Sequence, residues 1–145
     1  LEDLIVRTIS RTLVPFIQVY GLYIILHGHL TPGGSFSGGA VLGSSMILFA
    51  LSFNLERGAK KLSHDASTVL ECGGILIFAM LGFYGILAGT NFLTNLKAGF
   101  YPGVPGEFFS AGFIIFITVA LAFKVASTVI TLFYNLIETE GEAHD

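Results

Sequence analysis

FFSAGFIIFITVALAFKVASTVITLFY, residues Phe108 to Tyr134, contains one charged side chain, Lys124. About 20 apolar residues in a helix cross roughly 30 Å of hydrocarbon, so this stretch is long enough to span a bilayer. Three more apolar stretches precede it, at about 9–26, 39–55 and 66–89. The charges fall between them. Of 7 Lys and Arg plus 10 Asp and Glu, Glu2, Asp3, Arg7 and Arg11 lie at the start, Glu56, Arg57, Lys60, Lys61 and Asp65 in the middle, and Glu138, Glu140, Glu142 and Asp145 at the end. Glu71, Lys97, Glu107 and Lys124 stand elsewhere.

The composition agrees with that layout. Charged residues make up 12% of the chain, against about 25% in soluble domains. The expected fold is all-α and integral to the membrane, one domain over residues 1–145 with four transmembrane helices. A soluble enzyme and a disordered tail are excluded. A nucleic-acid partner is excluded as well, because the net charge is −3 and no basic face is present. The single Cys72 cannot belong to an intrachain disulfide framework. The first apolar stretch runs for about a full span with no small-residue cleavage site, so it reads as a span and not as a cleaved signal peptide.

Orientation follows from Lys and Arg in the short loops, which are retained in the cytoplasm. With four spans, the N-terminus, the middle loop and the C-terminus share one side, which holds Arg7, Arg11, Arg57, Lys60 and Lys61; the other side holds Lys97. The expectation is a multi-pass cell-membrane protein with both termini cytoplasmic.

Pro15 falls near the entrance of the first span, where it costs little within the first turn and otherwise bends the helix. Ser44, Ser45, Ser52 and Asn54 give the second span at least one face that should meet protein and not lipid. Gly39 and Gly43, and Gly85 and Gly89, are spaced by four, with Gly73, Gly74 and Gly82 adding small positions. Such spacing lets helix backbones approach closely, either within the chain or against another subunit. Short spans with many small residues and no pore-like polar run point to a part of a larger membrane assembly.

The segment His27-Gly28-His29-Leu30-Thr31-Pro32-Gly33-Gly34-Ser35-Phe36-Ser37-Gly38-Gly39 is expected to be a broken, polar connection after the first span. Its glycines permit positive φ, and Pro32 discourages helix through Thr31. Such backbone is tolerated at membrane depth where protein buries it or water reaches it. No Cys, His or carboxylate cluster accompanies His27 and His29, so no metal site is expected. The Gly-Lys-Ser/Thr ending of a phosphate loop is absent.

Gly28-His29, Pro32-Gly33-Gly34, Phe36 and Gly38-Gly39 resemble the glycine-rich signature of the MnhB-type family, which supplies one subunit of the Mrp-type multisubunit sodium/proton antiporters. The resemblance covers most of the chain, including a Gly- and Pro-containing segment (Gly99 to Gly106) before the last span. The family usually reads Pro-Gly-Gly-Gly-Phe, whereas Ser35 takes the third glycine's place here. Antiporter members often carry an aspartate early in the final span; here Phe116 is followed by Ile117, and the charge is Lys124. That pattern is closer to the antiporter-like subunits of archaeal membrane-bound hydrogenases and related respiratory complexes. The resemblance implies an accessory subunit in an Mrp or hydrogenase-type complex, with other membrane subunits as partners and Na⁺ and H⁺ as transported ions. No catalytic residue is expected, and no motif for nickel, iron–sulfur or flavin is present, so redox chemistry would belong to partners.

Beyond Arg11, near the start of the first stretch, two charges remain deep inside spans. Glu71 lies six residues past Asp65 and Lys124 ten before Tyr134, about 9 and 15 Å from the cytoplasmic ends at 1.5 Å per residue. Each costs roughly 2.5–3.5 kcal/mol at mid-membrane, and the similar depths allow a Glu71–Lys124 pair if the two spans are neighbours. As ion-path residues, Glu71 would bind a proton or Na⁺ and Lys124 would tune that binding by its charge. Otherwise they form a salt bridge or snorkelling contacts that join subunits. His27 and His29 are a second candidate pair near the opposite surface, either exchanging protons or simply packed. A purely structural scaffold is the rival to transport. A self-contained transporter usually shows an internal inverted repeat, which spans one–two and three–four do not form.

Overall fold

The computed structural model describes residues 2–30, 33–53, 64–89, 91–94, 99, 103–104, 107 and 110–142. Most of them lie in four helices, α1 (Glu2–Leu26), α2 (Ser35–Phe53), α3 (His64–Leu87) and α4 (Ile114–Glu142), with no strand among the described residues. All four are long and apolar enough to cross a membrane. Among the described residues, the interior mixes hydroxyls with apolar side chains: Ser45 and Ser127 are enclosed alongside Ile25 and Phe113, while other large apolar side chains, Phe16 and Leu87 among them, are 70% and 85% exposed. In lipid, apolar side chains gain nothing by hiding, whereas hydroxyls gain partners by turning inward.

The helices pack in the order α1, α2, α4, α3. Ser52 Oγ lies 2.6 Å from Ser10 Oγ, and Gly21 faces Leu42, so α1 and α2 are antiparallel. Gly39 faces Ala122 and Val125 while Gly43 faces Ala126 and Val129, so α2 and α4 run parallel. Ser67 meets Ser127 and Thr131 while Gly74 meets Ala120 and Lys124, so α3 and α4 are antiparallel. The start of α1 and the end of α4 therefore lie at one end of the bundle.

The paired glycines serve intrachain packing where the structure brings a neighbour to them. A Cβ at Gly39 would sit 2.5 Å from the Ala122 carbonyl oxygen, and one at Gly74 would sit 2.7 Å from that of Ala120. Gly82 faces the Phe92 ring and Gly85 the Asn91 carbonyl, because residues 91–94 turn back onto α3. The Phe92 ring meets Phe78 and Phe83 edge-on, at 6.4 and 6.1 Å between centroids. A Cβ at Gly73 or Gly89 would meet no neighbouring element within 4 Å among the described residues; Gly89, at φ +75°, follows the end of α3 and serves as its left-handed cap.

Several helix ends differ from the limits read from hydropathy. Helix α1 begins at Glu2, upstream of the apolar stretch, which places Pro15 in its interior and not at its entrance. Helix α4 begins at Ile114, after Gly112 at φ +59°, and runs past Tyr134 because the polar end of a helix continues into water without penalty. The glycine-rich segment is only partly a loop. Gly33 and Gly34 take φ of +148° and +130°, but Ser35, Phe36, Gly38 and Gly39 belong to the first turns of α2. Gly38 and Gly39 are there for close approach: a Cβ at Gly38 would strike Ile25, and one at Gly39 would strike α4. Pro32, Lys97 and the middle basic residues Arg57, Lys60 and Lys61 lie outside the described residues.

Candidate functional site

Glu71 is half-buried on α3, and the groups that meet it are hydroxyls. Thr131 Oγ1, on α4, lies 3.3 Å from Glu71 Oε1, and Ser67 Oγ, one helical turn before Glu71, lies 3.5 Å from it. Ser67 Oγ is 2.6 Å from Ser127 Oγ and 2.6 Å from Thr131 Oγ1, and Ser127 Oγ is 3.1 Å from the Ser67 carbonyl oxygen. Ser67 and Ser127 are buried, at 5% and 1% exposure. The cluster thus places one carboxylate at the end of a tight run of three hydroxyls across the α3–α4 seam.

Lys124 does not join it. Among the described residues Glu71 has no ion-pair partner, so the expected Glu71–Lys124 pair does not form. The reason is geometric. Side chains on a helix lean toward its own N-terminus. The contacts of Gly74 with Lys124 and of Ser67 with Ser127 put Glu71 and Lys124 at nearly the same level on antiparallel helices. Glu71 therefore leans toward Thr131, and Lys124 leans the other way. Lys124 Cβ abuts Gly74, which makes room for the lysine stem beside α3.

The histidines belong to the other end. The His27 ring stacks on Tyr23 at 4.2 Å, with Nδ1 3.1 Å from the Tyr23 carbonyl oxygen. His29 Nε2 lies 3.4 Å from the Glu107 carbonyl oxygen, which ties the connection after α1 to the segment before α4. Neither histidine meets Glu71 or Lys124. Among the described residues no group of three His, Cys, Asp or Glu side chains is placed to hold a metal. Sequence reasoning picked out Glu71 but missed Ser67, Ser127 and Thr131. The available signal was the repeated i, i+4 spacing of Ser67 with Glu71 and of Ser127 with Thr131, which puts each pair on one helix face.

Four helices long and apolar enough to cross a membrane, with hydroxyls buried between them and a half-buried carboxylate at the α3–α4 seam, define a multi-pass membrane protein. Residues 5–131 match the model of the family described as "Domain related to MnhB subunit of Na+/H+ antiporter", and the chain belongs to that family. The putative antiporter subunit mnhB2 of Staphylococcus aureus, strains Newman and COL among others, is 26% identical over 135 residues, covering 93% of this chain and 94% of that protein. Among solved structures, a chain of the membrane-bound sulfane sulfur reductase, an archaeal respiratory membrane complex, superposes with a TM-score of 0.71 at 31% identity. That match covers 87% of this chain and 54% of the other, so this chain spans about half the length of its solved counterpart.

Proposed function

We propose that this chain is an accessory membrane subunit of a sodium/proton antiporter module, working with other membrane subunits in an Mrp or hydrogenase-type respiratory complex. The family supports the antiporter part, and the 31% identity to a chain of an archaeal respiratory complex supports the respiratory part. The observation that carries a direct role in transport is the Glu71 carboxylate, held among hydroxyls within a membrane span. An ionisable group there costs several kcal/mol unless it is used or compensated. In this reading Glu71 lines the path of Na⁺ or H⁺, and Lys124, at the same level on α4, biases which ion is favoured. The chain binds no cofactor of its own, and electron transfer is left to partner subunits. Both termini face the cytoplasm, where Arg7 and Arg11 are retained.

A scaffold role is the second reading, and one observation favours it. The grooves beside the seam, of about 360 and 520 Å³, are lined mainly by apolar side chains such as Leu70, Phe123, Ile77 and Phe116, which suit a partner helix or lipid better than water. Replacing Glu71 with Gln and Lys124 with Met in the intact complex separates the two. With assembly unchanged, sodium-dependent proton movement into inverted membrane vesicles is expected to fall about tenfold or more for Glu71→Gln, with a smaller change for Lys124→Met. Unchanged transport in both assembled variants would leave only the scaffold.

A further inference from the structure

The hydroxyl cluster contains more hydrogen bonds than its hydroxyls have protons. Four contacts of 3.3 Å or less connect it: Ser127 Oγ to the Ser67 carbonyl, Ser67 Oγ to Ser127 Oγ, Ser67 Oγ to Thr131 Oγ1, and Thr131 Oγ1 to Glu71 Oε1. Each of the three hydroxyls donates one hydrogen. The two 2.6 Å contacts are too short for facing lone pairs, so each must hold a proton. If Ser127 donates to the Ser67 carbonyl, Ser67 must donate to Ser127 and Thr131 to Ser67. No hydroxyl hydrogen is then left for Glu71, and the fourth contact is made only if the Glu71 carboxyl carries a proton and donates to Thr131. With Glu71 ionised, the same short contacts survive only in the opposite sense, Ser127 to Ser67 to Thr131 to Glu71, and the bond to the Ser67 carbonyl is given up.

We propose that Glu71, Thr131, Ser67 and Ser127 form a proton-holding relay across the α3–α4 seam, whose hydrogen-bond direction reverses when Glu71 releases its proton. This rests on the reading of Glu71 as an ion-path carboxylate and adds the ligand and the groups that register its presence. On release the Glu71 O–H bond breaks and the proton passes to a water molecule. The three hydroxyl hydrogens rotate without breaking, and no electron is exchanged. Because hydrogen bonds in a chain polarise one another, the far hydroxyl, Ser127, senses the charge on Glu71. Helix α3 packs on α4, and among the residues whose side chains are described the titratable groups that these two helices bring to this region are Lys124 and Tyr134 on α4 and Asp65 and Cys72 on α3. None of them is in ion-pair contact with Glu71.

The test is infrared difference spectroscopy of the intact complex in its membranes between acid and alkaline pH. Wild type should show a protonated-carboxyl C=O band that is absent in Glu71→Gln. That band should shift in Thr131→Val and in Ser127→Ala, and return to its original position in Thr131→Ser, which keeps the hydroxyl and guards against a folding defect. A band that survives Glu71→Gln, or one that stays unmoved in both hydroxyl variants, would overturn the relay. Sodium-dependent transport measured on the same membranes keeps the two ideas apart. Hydroxyl-sensitive carboxyl bands with normal transport in Glu71→Gln support the relay and remove the transport role. Lost transport in Glu71→Gln with no Glu71 band keeps the transport role and overturns the relay.

Discussion

Gly39 and Gly73 are both helical glycines in apolar spans, yet they stand against different surroundings. A methyl at Gly39 would press on the Ala122 carbonyl oxygen at 2.5 Å and on Val125 Cβ at 2.8 Å, whereas Gly73 has open space around it. Gly39→Ala is expected to force α2 and α4 apart at a cost of about 1–3 kcal/mol. Gly73→Ala should be neutral or gain up to about 1 kcal/mol of helix propensity. Thermal unfolding of the detergent-purified complex should show a lowered transition for the first and none for the second. At this scale the sequence marked Glu71 and Lys124, because a charge inside an apolar run is conspicuous. It did not mark Ser67, Ser127 and Thr131, since a hydroxyl in a span satisfies its own helix backbone as readily as a neighbour. Nor did it exclude the Glu71–Lys124 pair: depth along the helix was readable, but the opposed lean of side chains on antiparallel helices emerges only once the register is known.

The elements meet through pairs of hydroxyls that can be converted to crosslinks. With Cys72 replaced by Ser, Ser10→Cys with Ser52→Cys should form a disulfide between α1 and α2, and Ser67→Cys with Ser127→Cys one between α3 and α4, since both hydroxyl pairs lie 2.6 Å apart. Ser10→Cys with Ser67→Cys should form none within a chain, because α1 and α3 do not share a seam; non-reducing gels of oxidised membranes report all three. Helix identity was legible from long apolar runs, but helix ends were less so. In the sequence Gly38 reads only as part of the broken connection, whereas Gly39 also reads as a packing position of the second span; both are helical and small because α1 and α4 press against them. Conformational freedom and close approach both select glycine, and only the neighbours tell them apart.

At the scale of the whole molecule, four spans were readable and their packing order was not. Each helix shows lipid a similar apolar surface, so no hydrophobic stripe reports which helix is its neighbour. The shared end of the α1 start and the α4 finish agrees with an even number of crossings. The proposed orientation, with both termini cytoplasmic, predicts that a maleimide reagent labels Arg7→Cys from the cytoplasmic side and Val104→Cys from the outside in intact cells carrying Cys72→Ser. Helices α1 and α3 carry broad exposed apolar faces, including Leu4, Phe16 and Val19 on one and Val69, Met80 and Phe83 on the other, which are open to lipid or to partner helices of a larger assembly. Purification of the tagged chain in mild detergent tests that central claim most directly. The account predicts that it elutes with other membrane subunits and that, once stripped of them and reconstituted alone, it moves neither Na⁺ nor H⁺. A chain that elutes by itself and exchanges sodium for protons by itself would contradict it.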